Sequence, residues 1–167
     1  MNADNPQLVI ELANEQELAI EEPPLIEAVR LILSDHGFQH GEVSIAVVDD
    51  PTIRRLNREY LEHNYETDVL SFPLSLEPES GFIEGQLIVS TDTAQRVAIE
   101  LSIAMQDELL LYVVHGALHL VGLLDKDPEH AKAMRQAEAK YLAHFGVRHH
   151  WDADRADDEA GCEWEAQ

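Results

Sequence analysis

The sequence predicts an α+β domain. It reads as a small mixed sheet of about four strands packed with about five helices, metallohydrolase-like, with the metal site on a core helix. Three observations predict this. Short apolar runs rich in β-branched residues, at 7–13, 42–49, 67–74 and 86–90, are separated by stretches with helical spacing. A Pro/Ser/Gly stretch between the third and fourth runs fits a β-hairpin. Late in the chain, Tyr112 to Asp127 places His115 and His119 four residues apart in an apolar run.

The elements follow in order. Gln7 to Ala13 (QLVIELA) is a short strand. Pro23 and Pro24 suit a helix start, Leu25, Ile26, Val29, Ile32 and Leu33 recur at helical spacing, and Gly37 closes that helix. Glu42 to Asp49 is a second strand. Asp50-Pro51-Thr52 opens a helix with Ile53, Leu56 and Tyr60 inward. Thr67 to Leu74 is a third strand, whose Pro73 confines its end to an edge or a strand exit. Residues 75–83, with Pro78, Ser80 and Gly81, form a surface loop before the fourth strand, Gln86 to Ser90. Thr91 or Thr93 can cap a helix running to about Ser102. The core helix runs from about Met105 to Val121, and Asp127-Pro128-Glu129 starts a last amphipathic helix ending near Gly146. No repeat or linker divides the chain. Residues 1–150 therefore read as a single domain and residues 151–167 as a disordered acidic tail.

Composition narrows the function. A chain of 167 residues that is 45% hydrophobic can build a substantial core. The first twenty residues carry no basic apolar signal and no run spans a bilayer, so a soluble cytoplasmic protein with no membrane partner is expected. The single cysteine, Cys162, reads as a free surface thiol. The formal charge is -22, unevenly spread: residues 1–22 hold six acids and no Lys or Arg, and residues 151–167 net -6. These arms supply 12 of the 22 charges, leave -10 for residues 23–150, and read as solvated, poorly ordered chain. Such a charge excludes a nonspecific nucleic-acid binder, and no DNA partner is expected. A nucleic-acid enzyme with a local cationic cleft stays open. Arg54, Arg55 and Arg58 are the one tight basic cluster, which on composition alone is an ordinary exposed helix face.

Four residues is just over one helical turn, so His115 and His119 project from one face, about 6 Å apart along the axis. Their apolar neighbours Val113, Val114, Leu118, Leu120 and Val121 make the helix core. Buried imidazoles need partners, and a metal supplies one for each ring. Gly122 offers a helix stop, and the turn after it could return Asp125 as a third ligand. Two nitrogens, a carboxylate oxygen and an open position make a catalytic zinc shell, one ion per chain, although nickel, cobalt or manganese also suit such ligands. The competing reading is a core helix with two hydrogen-bonded histidines. The apolar context, the glycine stop and the aspartate favour metal. Asp127 and His130 are the next candidates for a third ligand. H-x-x-x-H resembles the zinc-protease helix H-E-x-x-H, but Gly116 stands where that helix carries its general base, which disfavours a hydrolase of peptides or small molecules. Glycine there permits close approach of backbone or substrate. Glu108, two turns before His115 and about 10 Å away, suits a structural role. Asp68 precedes an apolar strand and serves either as a carboxylate in a cleft or as a cap, the two readings standing even.

His115 to Asp125, H-G-A-L-H-L-V-G-L-L-D, resembles the H-G-x-L-H-L-x-G-Y-D-H signature of the YbeY endoribonucleases, the rRNA maturation factors. Leu56 to Tyr60 (LNREY) followed by Thr67 to Pro73 (TDVLSFP), and Gly85 to Ala94 (GQLIVSTDTA), resemble two further blocks of that family in the same order. The resemblance implies a zinc site between helices, with His115 and His119 as ligands and Asp125 at the third family histidine. It implies metal-dependent, single-strand-specific endoribonuclease activity in maturation of the small-subunit rRNA 3' end and in ribosome quality control, with ribosomal RNA and ribosomal particles as partners. His115, His119, Arg58 and Asp68 are then the catalytic candidates. Leu61 replaces the family's arginine, and Arg58, one turn earlier, could stand in for it. Glu66, Gln86 and Leu124 are other departures. A metal-stabilised ribosome-assembly factor with little or no nuclease activity is the competing reading, favoured by Leu61 and by the net charge.

Overall fold

In strand β1 (Leu8–Asn14) the inward residues Leu8 and Ile10 alternate with exposed Val9 and Glu11. The computed structural model describes residues 7–63 and 67–150. Helix α1 (Glu22–Asp35) has its prolines in the first turn and buries the stripe Leu25, Ala28, Val29, Ile32 and Leu33. Strand β2 (His40–Val48) lies parallel to β1. Helix α2 (Asp50–Leu61) starts at Asp49, whose carboxylate accepts from the Thr52 amide at 2.9 Å. Strands β3 (Val69–Glu77) and β4 (Phe82–Ser90) form an antiparallel hairpin, and β4 lies parallel to β2. The sheet order is β1-β2-β4-β3. Three helices follow: α3 (Thr91–Leu101), α4 (Met105–Leu120) and α5 (Pro128–His144).

Alternation along the strands divides the core in two. One face of the sheet meets α1, α4 and α5 through residues such as Val69, Leu87 and Val89. The intervening residues Leu70 and Ile88 turn to the other face, where they pack with Val48 and with Ile53 of α2. Helix α4 touches α1, α3, α5, β3 and β4, and every residue from Glu108 to Leu118 is buried. Burial on all sides explains its almost unbroken apolar sequence. Among the described residues, no helix is long and apolar enough to cross a membrane.

Several expectations change in detail. Ser90, not Thr91 or Thr93, caps α3: its hydroxyl accepts from the Thr93 amide at 3.4 Å. Thr91 is already helical and fully buried, its hydroxyl turned to Gln16 and the Val48 carbonyl. Residues 75–83 are not one loop. Strand β3 continues to Glu77 and β4 begins at Phe82, which leaves a short turn. A register shift between Pro73 and Ser75 lets an edge strand carry the proline. On α2, Ile53 and half-buried Leu56 face the sheet, but Tyr60 is 66% exposed with its ring edge against Phe72, and Asn57 takes the buried position. Phe72, half-buried on the edge strand, packs against the apolar cluster under α2. The acidic stretch before Pro23 is not an unstructured arm where it is described: β1 and the first turn of α1 occupy much of it. Cys162, Glu66 and the acidic tail fall outside the described residues.

Candidate metal centre

Helix α4 ends in a local device that sets the position of Asp125, the third member of the cluster. Gly122 adopts φ +105, a left-handed conformation that glycine accepts without strain. Its amide reaches the His119 carbonyl at 3.0 Å, and the Leu123 amide reaches the Leu118 carbonyl at 3.0 Å. This paired closure is a Schellman ending, and it reverses the chain toward the histidine face. Asp125 Oδ2 consequently lies 3.4 Å from both His115 Nε2 and His119 Nε2, and the two nitrogens are 3.0 Å apart. All three side chains are under a tenth exposed. The three ligand atoms lie within 4.8 Å of one another, and the group could hold a metal ion. Two imidazole nitrogens and a carboxylate oxygen suit zinc.

Acidic neighbours dominate the electrostatics. Burial opposes a charge on His115, but Asp125, Glu138 and Asp68 outweigh it and raise its pKa to about 9. Burial likewise opposes ionisation of Asp125, yet the two imidazoles hold its carboxyl well below the usual carboxylate range. The cluster is therefore built to take up positive charge. A second group lies behind it. Glu138 of α5, 2% exposed, places Oε1 at 3.7 Å from His115 Nδ1 and Oε2 at 3.6 Å from His149 Nε2. Glu108, one turn below Tyr112 on α4, pairs with His150 Nε2 at 3.0 Å and takes a hydrogen bond from Tyr112, whose pKa rises through burial and then through the charge of Glu108.

Gly116 faces the sheet: an added Cβ would stand 2.9 Å from side-chain atoms of Leu87 and Val69. Its role is close helix–sheet packing, which corrects the expectation that it permits close approach of backbone or substrate to the metal. The Ser71 hydroxyl donates to the Gly116 carbonyl at 3.0 Å and ties β3 to α4 beside His115. The Asp68 carboxylate accepts from the Val69 amide at 2.9 Å and from the Thr67 hydroxyl at 3.2 Å, and it also acts on His115 through its charge. Burial raises its pKa. Arg58 is exposed on α2, which packs over Leu70 and Ile88 on the sheet face away from α4. Asp127 caps α5 through the His130 amide at 2.9 Å and pairs with the His130 ring, so both are engaged outside the cluster.

Sequence reading missed Glu138. The signal was present: Met134, Glu138, Tyr141 and Leu142 recur at helical spacing, and a glutamate in an apolar stripe requires a buried partner. His149 and His150 gave no comparable signal, because they follow the end of α5 in irregular chain.

Comparison with known proteins gives concordant results. A family model described as Endoribonuclease YbeY matches residues 11–146. A protein named Endoribonuclease YbeY from Rhodopirellula baltica is 44% identical over 125 residues, which are 74% of this chain and 63% of that relative. One of the same name from Chlorobium phaeovibrioides is 37% identical over 140 residues, 84% of this chain and 93% of the relative. The solution structure of TM1509 from Thermotoga maritima superposes with a TM-score of 0.57 at 25% identity, covering 93% of this chain and 99% of that one.

Proposed function

The chain belongs to the Endoribonuclease YbeY family, and from that premise we propose that it is a metal-dependent endoribonuclease that hydrolyses phosphodiester bonds of single-stranded RNA. The observation that carries this reading is the convergence of His115 Nε2, His119 Nε2 and Asp125 Oδ2 beneath the Schellman turn. We take the ion to be zinc, one per chain, since the donor set matches it. A bound ion there supplies Lewis acidity and lowers the pKa of a bound water.

The chain's own groups divide the remaining tasks. His115, His119 and Asp125 hold the ion. Asp68, a half-buried carboxyl with a raised pKa acting on His115, takes up a proton from the attacking water. Arg58 contacts a phosphate from the exposed side of α2. An RNA strand touching both Arg58 and the ion therefore passes around the edge strand β3. Residues 1–150 form the catalytic unit. The substrate is ribosomal RNA in ribosomal particles of the cytoplasm, at the 3' end of the small-subunit rRNA, with a part in ribosome quality control. One observation favours the assembly-factor reading: Leu61, where the family carries arginine, packs into the small cluster under α2 and offers no charge. Incubating zinc-loaded protein with structured small-subunit rRNA precursor decides between the two. Cleavage that is abolished in His119→Ala supports the nuclease. Uncut precursor with retained binding to ribosomal particles supports the assembly factor.

A further inference from the structure

We infer that Glu138 is a positioning residue for the metal centre: its carboxylate holds the Nδ1 edge of His115, so that Nε2 is the nitrogen presented to the point shared with His119 and Asp125. This rests on the metal-binding reading above. Glu138 occupies a place in the buried stripe of α5 that a leucine would fill, between Met134 and Tyr141–Leu142. A carboxylate at 2% exposure is costly there unless charge and hydrogen bonding compensate it. Its compensation comes from two imidazoles, one at each oxygen: His115 Nδ1 at 3.7 Å and His149 Nε2 at 3.6 Å. These are ion-pair spacings, longer than direct hydrogen bonds, and they set one imidazole nitrogen against each carboxylate oxygen.

The chemistry follows from the ring. A neutral imidazole carries one proton, and the nitrogen without it is the ligand. A carboxylate facing Nδ1 favours the proton there and frees Nε2, the atom already aimed at Asp125. His149 anchors the outer carboxylate oxygen. Its neighbour His150 is fastened to Glu108 of the same helix α4, so the chain beyond α5 is held down beside Glu138.

Zinc and cobalt ions titrated separately into metal-free full-length chain test the inference. Glu138→Gln keeps the shape and removes the charge. It should lower affinity for both ions by roughly 10–100-fold and shift the visible spectrum of the cobalt form. The metal-free variant should melt within a few degrees of the metal-free parent. His149→Phe should have a smaller effect in the same direction. Long-range 1H–15N spectra of the zinc-loaded parent should show His115 with its proton on Nδ1 and zinc on Nε2, a result available even if Glu138→Gln does not fold. Zinc on Nδ1 of His115, or ion affinities within twofold of the parent in folded Glu138→Gln, overturns the positioning role and leaves the metal site standing. A parent that binds neither ion overturns both. A zinc-loaded chain that binds metal as expected but leaves RNA intact overturns the nuclease reading alone.

Discussion

Asp125 illustrates how much one backbone turn decides. Its carboxylate reaches both histidines only because Gly122 accepts the left-handed conformation that closes α4. Asp127, two residues on, is exposed and caps α5 instead. Asp125→Ala is therefore expected to reduce metal affinity strongly, whereas Asp127→Ala should leave affinity unchanged and lower the melting temperature slightly. Asp125→His should retain the ion, since imidazole replaces one donor with another. Equal metal affinity in the parent and Asp125→Ala, measured by chelator competition, would show that the aspartate is not a ligand. The charge state of His115 adds a pH prediction. Its pKa of about 9 means that metal binding near neutrality displaces a proton from the imidazole. Affinity should rise as pH increases toward 9 and fall below it, with proton release visible as a buffer-dependent heat of binding. A pH-independent affinity between 6 and 9 contradicts the acidic surroundings described for this ring.

At the scale of elements, two contacts fix the helices that carry the site. Gly116 lets α4 lie against β3 and β4, and a methyl at that position meets Leu87 and Val69. Gly116→Ala is expected to destabilise the fold by about 1–3 kcal/mol through overpacking, with loss of metal affinity following from displacement of the neighbouring His115. Calorimetry of the metal-free form checks the first part. Asp50 joins the N-termini of α2 and α3: it accepts from Ser90 at 2.6 Å, from Thr93 at 2.7 Å and from Arg96 at 2.9 Å. Burial opposes its ionisation, but these three donors prevail and lower its pKa. A depressed folded-state pKa gives stability that is present above the unfolded value, near 3.9, and is lost as pH falls through the folded value. Asp50→Asn should therefore narrow the stability difference between pH 6 and pH 3, relative to the parent, in denaturant titrations. These contacts also mark where sequence reading stops. Periodicity located α4 and α5 within a residue or two, and the glycine after the second histidine pointed to the returning aspartate. The hairpin is legible from its turn residues, but Pro73 reads as a terminator when the pairing across a bulge is unseen, and β3 in fact continues to Glu77. The caps by Ser90 and the burial of Asn57 in place of Tyr60 depend on which surface the sheet offers, and that is a tertiary property. Glu138 was legible as an anomaly in its stripe, yet its partner could be named only once α5 lay beside α4.

For the whole molecule, RNA binding sets a local attraction against a global repulsion. The chain carries a formal charge of -22, so a polyanion approaches it against the mean field. At physiological salt that field is screened beyond about 8 Å, whereas a direct guanidinium–phosphate contact operates at hydrogen-bond range. Close contacts therefore decide the affinity. Arg54, Arg55 and Arg58 share one short helix whose inward side is occupied by Ile53, Leu56 and Asn57, and all three are exposed. Each phosphate neutralised on a single strand contributes a slope of about -0.7 to the logarithm of affinity against that of salt. If Arg58 makes one such contact, Arg58→Glu should weaken binding of single-stranded RNA and flatten the salt slope by roughly that amount, with bound metal retained. Lys132→Glu on the exposed side of α5 makes the same change in net charge. It should shift affinity far less and leave the slope unaltered. Equal losses for the two variants across 50–200 mM salt, on the order of the range over which such slopes are read, would assign RNA binding to bulk charge and remove Arg58 from the site.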